Sequence, residues 1–123
     1  MPVFTSCLLV ALGGAAGSLL RFAVSRLLAF TALPWGTFAV NIAGGLAIGI
    51  IAGTLTVRGG EGWRLFLVVG LLGGFTTFSA FSLELAVMLG RGALLTALLY
   101  AAGSVLLALA ATFTGLWLAR SVV

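Results

Sequence analysis

The chain is poor in charge. Of its 123 residues only 7% are charged, against roughly 25% in a soluble domain, so a water-facing surface could not be built. Histidine, aspartate and lysine are absent, and Glu61 and Glu84 are the two acids. Without histidine and aspartate there is no Ser-His-Asp triad, no paired-aspartate chemistry and no zinc site of the usual ligand sets. No nucleophile and base can be paired beyond isolated hydroxyls, so an enzyme is not expected. The single cysteine, Cys7, excludes an intrachain disulfide and a thiolate cluster. The six basic residues are all arginine and are scattered along the chain, so no basic run supports a nucleic-acid partner. The isoelectric point of about 11.3 reflects missing acids more than a basic face.

What fills the chain instead is apolar. Hydrophobic residues make up 63%, and the mean hydropathy is +1.35. A helix needs about 20 apolar residues to cross the hydrocarbon layer. Four stretches meet that length, at about 3–28, 35–56, 64–89 and 93–119. The gaps hold the breakers and charges, including Pro34, Arg58-Gly59-Gly60-Glu61-Gly62 and Gly90-Arg91-Gly92. The sequence therefore predicts an all-α membrane protein, one integral membrane domain over 1–123 with the lipid bilayer as its solvent. The first stretch is not a signal peptide, because Met1-Pro2-Val3-Phe4 lacks a positive start and the apolar run is too long. Gly13-Gly14-Ala15-Ala16-Gly17-Ser18 has no lysine and no preceding strand, so it is no phosphate loop. Its glycines, with Gly45, Gly49 and Gly53 and with Gly70 and Gly74, recur four apart, the spacing that lets helix backbones approach closely in lipid.

The third span breaks the apolar pattern. Gly73-Gly74 weakens a helix by roughly 1 kcal/mol per glycine. Thr76, Thr77, Ser79 and Ser82 follow, interleaved with Phe75, Phe78 and Phe81, and Glu84 closes the run. The expectation is a helix broken near its middle. Such a break at membrane depth is tolerated where it is buried in protein or lines a watery cavity, which points to the centre of a small ion channel. Glu84 late in that span faces a vestibule, a partner or the interface, since an ionised acid at mid-membrane is costly. Arg21, well inside the first span, is read as structural, by snorkelling or by pairing. Asn41, the sole carboxamide, can donate two hydrogen bonds, and Thr37 lies one turn before it. Tyr100 and Ser104 are one turn apart on the fourth span, with Thr112 beyond and Ala108 between. Together these suggest a narrow polar track beside the break. Phe78 and Phe81 share a helix face, and ring edges are weakly positive, so they can pack against lipid or present an anion with a wall that does not trap it.

With four spans, the N-terminus, the second loop and the C-terminus share a side. That side carries Arg58, Arg64 and Arg120, and the other carries Arg26, Arg91 and Arg21, three against three. Orientation follows an excess of basic residues on the cytoplasmic side. Without one, insertion both ways and antiparallel pairing are expected alongside a single orientation.

Gly73-Gly74-Phe75-Thr76-Thr77-Phe78-Ser79-Ala80-Phe81-Ser82-Leu83-Glu84, Gly13 through Phe22, and Gly36-Thr37-Phe38-Ala39-Val40-Asn41-Ile42-Ala43-Gly44 resemble the signatures of the Fluc, or CrcB, fluoride channels. The resemblance covers all four spans. It implies an antiparallel dual-topology homodimer in the cell membrane, with two pores that export toxic fluoride passively. It further implies that Asn41, Phe78, Phe81, Tyr100 and Ser104 line the pore, with Thr77, Ser79 and Ser82 in its hydroxyl-bearing part. Backbone carbonyls of Gly73 and Thr76 from both subunits would hold a structural sodium ion. Glu84 matches a vestibule acid and Arg21 a structural arginine. Ala108 stands where relatives often extend the hydroxyl track. Two rivals remain at this level. A small dual-topology multidrug antiporter driven by protons needs a carboxylate in its first span, and this first span has none. A non-transporting assembly subunit would suit the glycine ridges but leaves the Phe/Thr/Ser run without a purpose.

Overall fold

In the computed structural model, residues 1–122 are described; Val123 and the side chains of residues 56–58, among them Arg58 of the charge tally, lie outside the described residues. Four segments are long and apolar enough to cross a bilayer: Val3–Leu27, Trp35–Leu55, Glu61–Gly90 and Leu94–Val122. The helices are α1 (Val3–Leu27), α2 (Trp35–Arg58), α3 (residues 61–75), α4 (Phe78–Gly90) and α5 (Leu94–Val122). Pro34 precedes α2, and its carbonyl accepts the Phe38 N–H (3.1 Å). Between α4 and α5 the chain reverses on Gly92, whose φ of 74° suits glycine. There Gly92 N–H donates to the Leu89 carbonyl and Ala93 N–H to that of Met88, the paired closure of a Schellman turn.

The packing inverts that of a soluble core. Large side chains such as Phe4, Leu19, Leu99 and Trp117 point outward, where lipid solvates them as well as a protein interior would. Small residues lie inside. A methyl placed on Gly13 would overlap the Phe66 carbonyl, and one on Gly17 the Leu71 carbonyl. Gly70 and Gly74 of α3 meet α1 from the other side, against the Val10 and Gly14 carbonyls. The same device joins α2 to α5: a methyl at Gly45 would meet the Ala108 carbonyl, one at Gly49 that of Thr112, and one at Gly115 that of Leu46. The glycine ridges thus set two close helix pairs, α1 with α3 and α2 with α5.

Within α3, residues Arg64–Leu72 are wound as a π-helix, a rare form that is frequent at functional sites. Gly73 and Gly74 keep helical backbone. The residues that leave it are Thr76 (φ −87°, ψ 158°) and Thr77 (φ −152°, ψ 125°). Gly74 serves close packing against α1, and the threonines, which can satisfy backbone groups with their own hydroxyls, carry the change of direction.

Candidate functional site

At the interruption both backbone N–H groups, of Thr76 and of Thr77, are hydrogen-bonded. Thr76 turns its hydroxyl back to the Leu72 carbonyl (2.8 Å), which also accepts the Thr76 N–H (2.9 Å). Thr77 N–H donates to Asn41 Oδ1 (2.8 Å), and Asn41 Nδ2 donates to the Thr77 carbonyl (2.9 Å). One side-chain amide therefore stands in for a missing backbone neighbour on both edges of the Thr77 peptide. Thr77 Oγ1 then accepts the Ala80 N–H (3.1 Å) and caps α4 in the manner favoured for threonine. Gly44 of α2 makes room: a methyl there would overlap the Thr76 side chain.

Beside this segment lies a cleft of about 370 Å³. Asn41, Gly73, Thr76, Thr77, Phe78, Phe81, Ser104 and Ala108 all line it. Phe78 is 77% exposed, while Phe81 is buried, and their rings stand 5.7 Å apart. Ser104 is buried, and its Oγ has no hydrogen-bond partner among the described residues. Further along the cleft the lining turns apolar, with Ile48, Val105 and Ala108. Thr112 does not continue a track, because its hydroxyl donates to the Ala108 carbonyl (2.9 Å) in the seam between α2 and α5.

A second cluster forms behind Phe81. Glu84 accepts the Thr37 hydroxyl at Oε1 and the Tyr100 hydroxyl at Oε2, each at 2.6 Å. The Tyr100 ring packs on Phe81 (5.3 Å between centroids) and on Phe38 (6.3 Å). Glu84, in the second half of the Glu61–Gly90 span, is thus held by hydroxyls from α2 and α5. The remaining residues singled out in the sequence sit elsewhere. Ser79 is exposed and reaches Thr77 Oγ1 (3.3 Å), and Ser82, also exposed, donates back to the Phe78 carbonyl (2.9 Å). Arg21 is half-buried on α1 and makes no ion pair among the described residues. Thr37 and Phe38 carry more of the site than the sequence reading gave them. The one signal for Thr37 was its place a turn before Asn41, since its partner lies 47 residues away.

Residues 8–116 match the family model described as CrcB-like protein, Camphor Resistance. The chain is 56% identical over 122 residues to a fluoride-specific ion channel FluC of Hyphomonas neptunium, covering 94% of this chain and 95% of that protein. It is 54% identical over 125 residues to the fluoride-specific ion channel FluC of Phenylobacterium zucineum, at 94% and 95% coverage. The protein of that name from Novosphingobium aromaticivorans is 50% identical over 124 residues, at 96% and 98% coverage.

Proposed function

Since the chain belongs to the CrcB-like family, we propose that it is a fluoride-selective channel of the cell membrane, exporting fluoride passively as an antiparallel, dual-topology homodimer with two pores. The carrying observation is the donor set of the cleft. Ser104 presents a buried hydroxyl with no partner, and Asn41 keeps a second amide proton beyond the one given to Thr77. Among the described residues no acid lines the cleft. A buried donor left unmatched is costly, and an anion is the partner that would match it. Fluoride is small and strongly hydrated, so a pore must replace its water with donors. The amide and hydroxyl do this, and the edges of Phe78 and Phe81 cover the apolar remainder without a counter-charge that would hold the ion.

The dimer is supported by the openness of this site. Phe78 and much of α4 are exposed in the single chain, so the cleft reads as half of a conduit that a second copy completes. The balance of arginines, three on each side, supports insertion both ways. The Thr76–Thr77 interruption lies within the Glu61–Gly90 span, so the third transmembrane helix is read as broken.

The residues at the break suit a structural sodium ion. In a continuous helix the Gly73 carbonyl would accept the Thr77 N–H, and the Thr76 carbonyl the Ala80 N–H. Both donors are diverted, to Asn41 Oδ1 and to Thr77 Oγ1. The two carbonyls therefore retain lone pairs for a hard cation, which prefers oxygen ligands. Gly73 and Thr76 of each subunit would hold the ion, whose charge would tie the two broken helices together.

The test is fluoride efflux from liposomes holding the purified protein, read with a fluoride electrode beside a parallel chloride assay. Fast fluoride efflux, without chloride efflux and without a proton gradient, is expected. Proton-coupled uptake of a cationic drug in place of fluoride efflux would overturn the channel in favour of an antiporter.

A further inference from the structure

α2 and α5 run parallel, because their facing positions climb together: Gly45 against Ala108, Gly49 against Thr112 and Gly53 against Ala119. Both helices therefore begin at the same end of the molecule, and there they part. The rings of Phe38 and Tyr100 stand between them, 6.3 Å apart by centroid. Gly103 leaves room, since a methyl on it would have only the Phe38 ring within 4 Å. The gap is a second cavity of about 380 Å³, which shares no lining residue with the cleft at the break. Pro34, Trp35 and Thr96, from the starts of the two helices, line its mouth, and Leu99, Tyr100 and Gly103 line its depth. From Thr96 to Gly103 is roughly 10 Å along the helix, so the groove runs inward between two membrane spans. Its walls are apolar apart from two hydroxyls, that of Tyr100, which is given to Glu84, and that of the exposed Thr96. Such a hollow has little to offer water.

The charge at this end is of one sign. Arg26 is in the last turn of α1, next to Ser25, whose backbone abuts Gly36 beside Trp35. Arg91 follows α4, five residues before Thr96. No acid lies in either loop, since the acids are Glu61 and Glu84.

We propose that this cavity is a lipid site, in which one acyl chain of an anionic phospholipid lies between α2 and α5 and the phosphate rests at the mouth with Arg26 and Arg91. Charge selects this occupant. A second copy of the chain would bring more arginine, because each end carries three by sequence, whereas an anionic headgroup neutralises what is there. Basic pockets between membrane helices hold such headgroups, and arginine side chains reach outward to them. The chain presses on the Tyr100 ring from the Phe38 side and so braces the ring that packs on Phe81. The site does not depend on which ion the cleft passes.

Trp35 is a built-in reporter. Trp63 and Trp117 are exposed, and replacing both with phenylalanine leaves Trp35 as the sole tryptophan. In vesicles, quenching of Trp35 by phosphatidylglycerol brominated in its acyl chain is compared with quenching by brominated phosphatidylcholine. Half-quenching is expected at about tenfold less of the anionic lipid, since each arginine near an anionic headgroup is worth about fivefold. Arg26→Gln with Arg91→Gln should bring the two lipids within about twofold. Gly103→Leu, which fills the groove, should abolish the preference while the arginines remain. A protein keeping Trp117 alone should show no preference. Equal quenching of Trp35 by both lipids, or a preference that survives Gly103→Leu, overturns the site in favour of ordinary lipid contact. Quenching by aqueous acrylamide in place of brominated lipid overturns it in favour of a watery hollow, and protection from both in favour of a second copy. The wild type supplies a readout free of substitutions. Mass spectrometry of the intact protein in mild detergent should find one anionic phospholipid held per chain, and neutral lipid alone, or none, overturns the proposal.

Discussion

Asn41 holds both edges of the Thr77 peptide, and this makes its chemistry exacting. Aspartate is nearly isosteric but has no N–H for the Thr77 carbonyl, and it brings a charge into the cleft. Asn41→Asp is expected to lower fluoride efflux by at least about tenfold through the lost bond and the left-over carbonyl, measured in the liposome assay at matched protein density. Ser104 and Thr112 make a second contrast. Both are hydroxyls of α5, but Ser104 is unpartnered at the cleft and Thr112 already donates to the Ala108 carbonyl. Ser104→Ala should reduce efflux several-fold, about the worth of one hydrogen bond, while Thr112→Ala should leave it within about twofold. Equal effects would place the two hydroxyls in the same environment, against the geometry. The types of residue at this site were legible in the sequence as oddities in an apolar chain. Their partners were not, because Thr37 with Glu84 and Asn41 with Thr77 are brought together from 47 and 36 residues apart.

At the scale of helices, glycine spacing was the most readable signal. A run of residues four apart can be recognised without knowing what it faces, since only one helix face is involved. Which helix it faces is a question of packing, and α2 meets α5 while α1 meets α3. Gly49→Val is therefore expected to cost about 3 kcal/mol or more, because the side chain would meet the Thr112 carbonyl and Gly115 backbone, neither of which can swing away. Gly90→Ala, with nothing within 4 Å of a new Cβ, should cost nothing. Recovery of monodisperse protein after graded heating in detergent separates the two. The glycines also misdirect. Gly73-Gly74 looks like the weak point of the third span by propensity, yet its glycines stay helical. Tertiary contact overrides propensity here: α1 needs Gly74 for close approach, and Asn41 and Gly44 of α2 favour the threonines leaving the helix.

For the molecule as a whole, the arginine balance leads to a direct test. With Cys7 replaced by alanine and a cysteine placed ahead of Val3, an impermeant maleimide should label about half the protein from each side of the membrane. Labelling from one side alone would refute dual insertion. The membrane class and the four apolar spans followed from the sequence alone, because each depends on composition or on the length of an uninterrupted apolar run, which are properties of the chain in one dimension. Tertiary structure alone decided where the helix gives way, which hydroxyls are free and which are engaged, and that Glu84 is held by Thr37 and Tyr100. Those outcomes turn on which of several nearby partners a donor reaches, and that choice exists only once α2, α4 and α5 lie side by side.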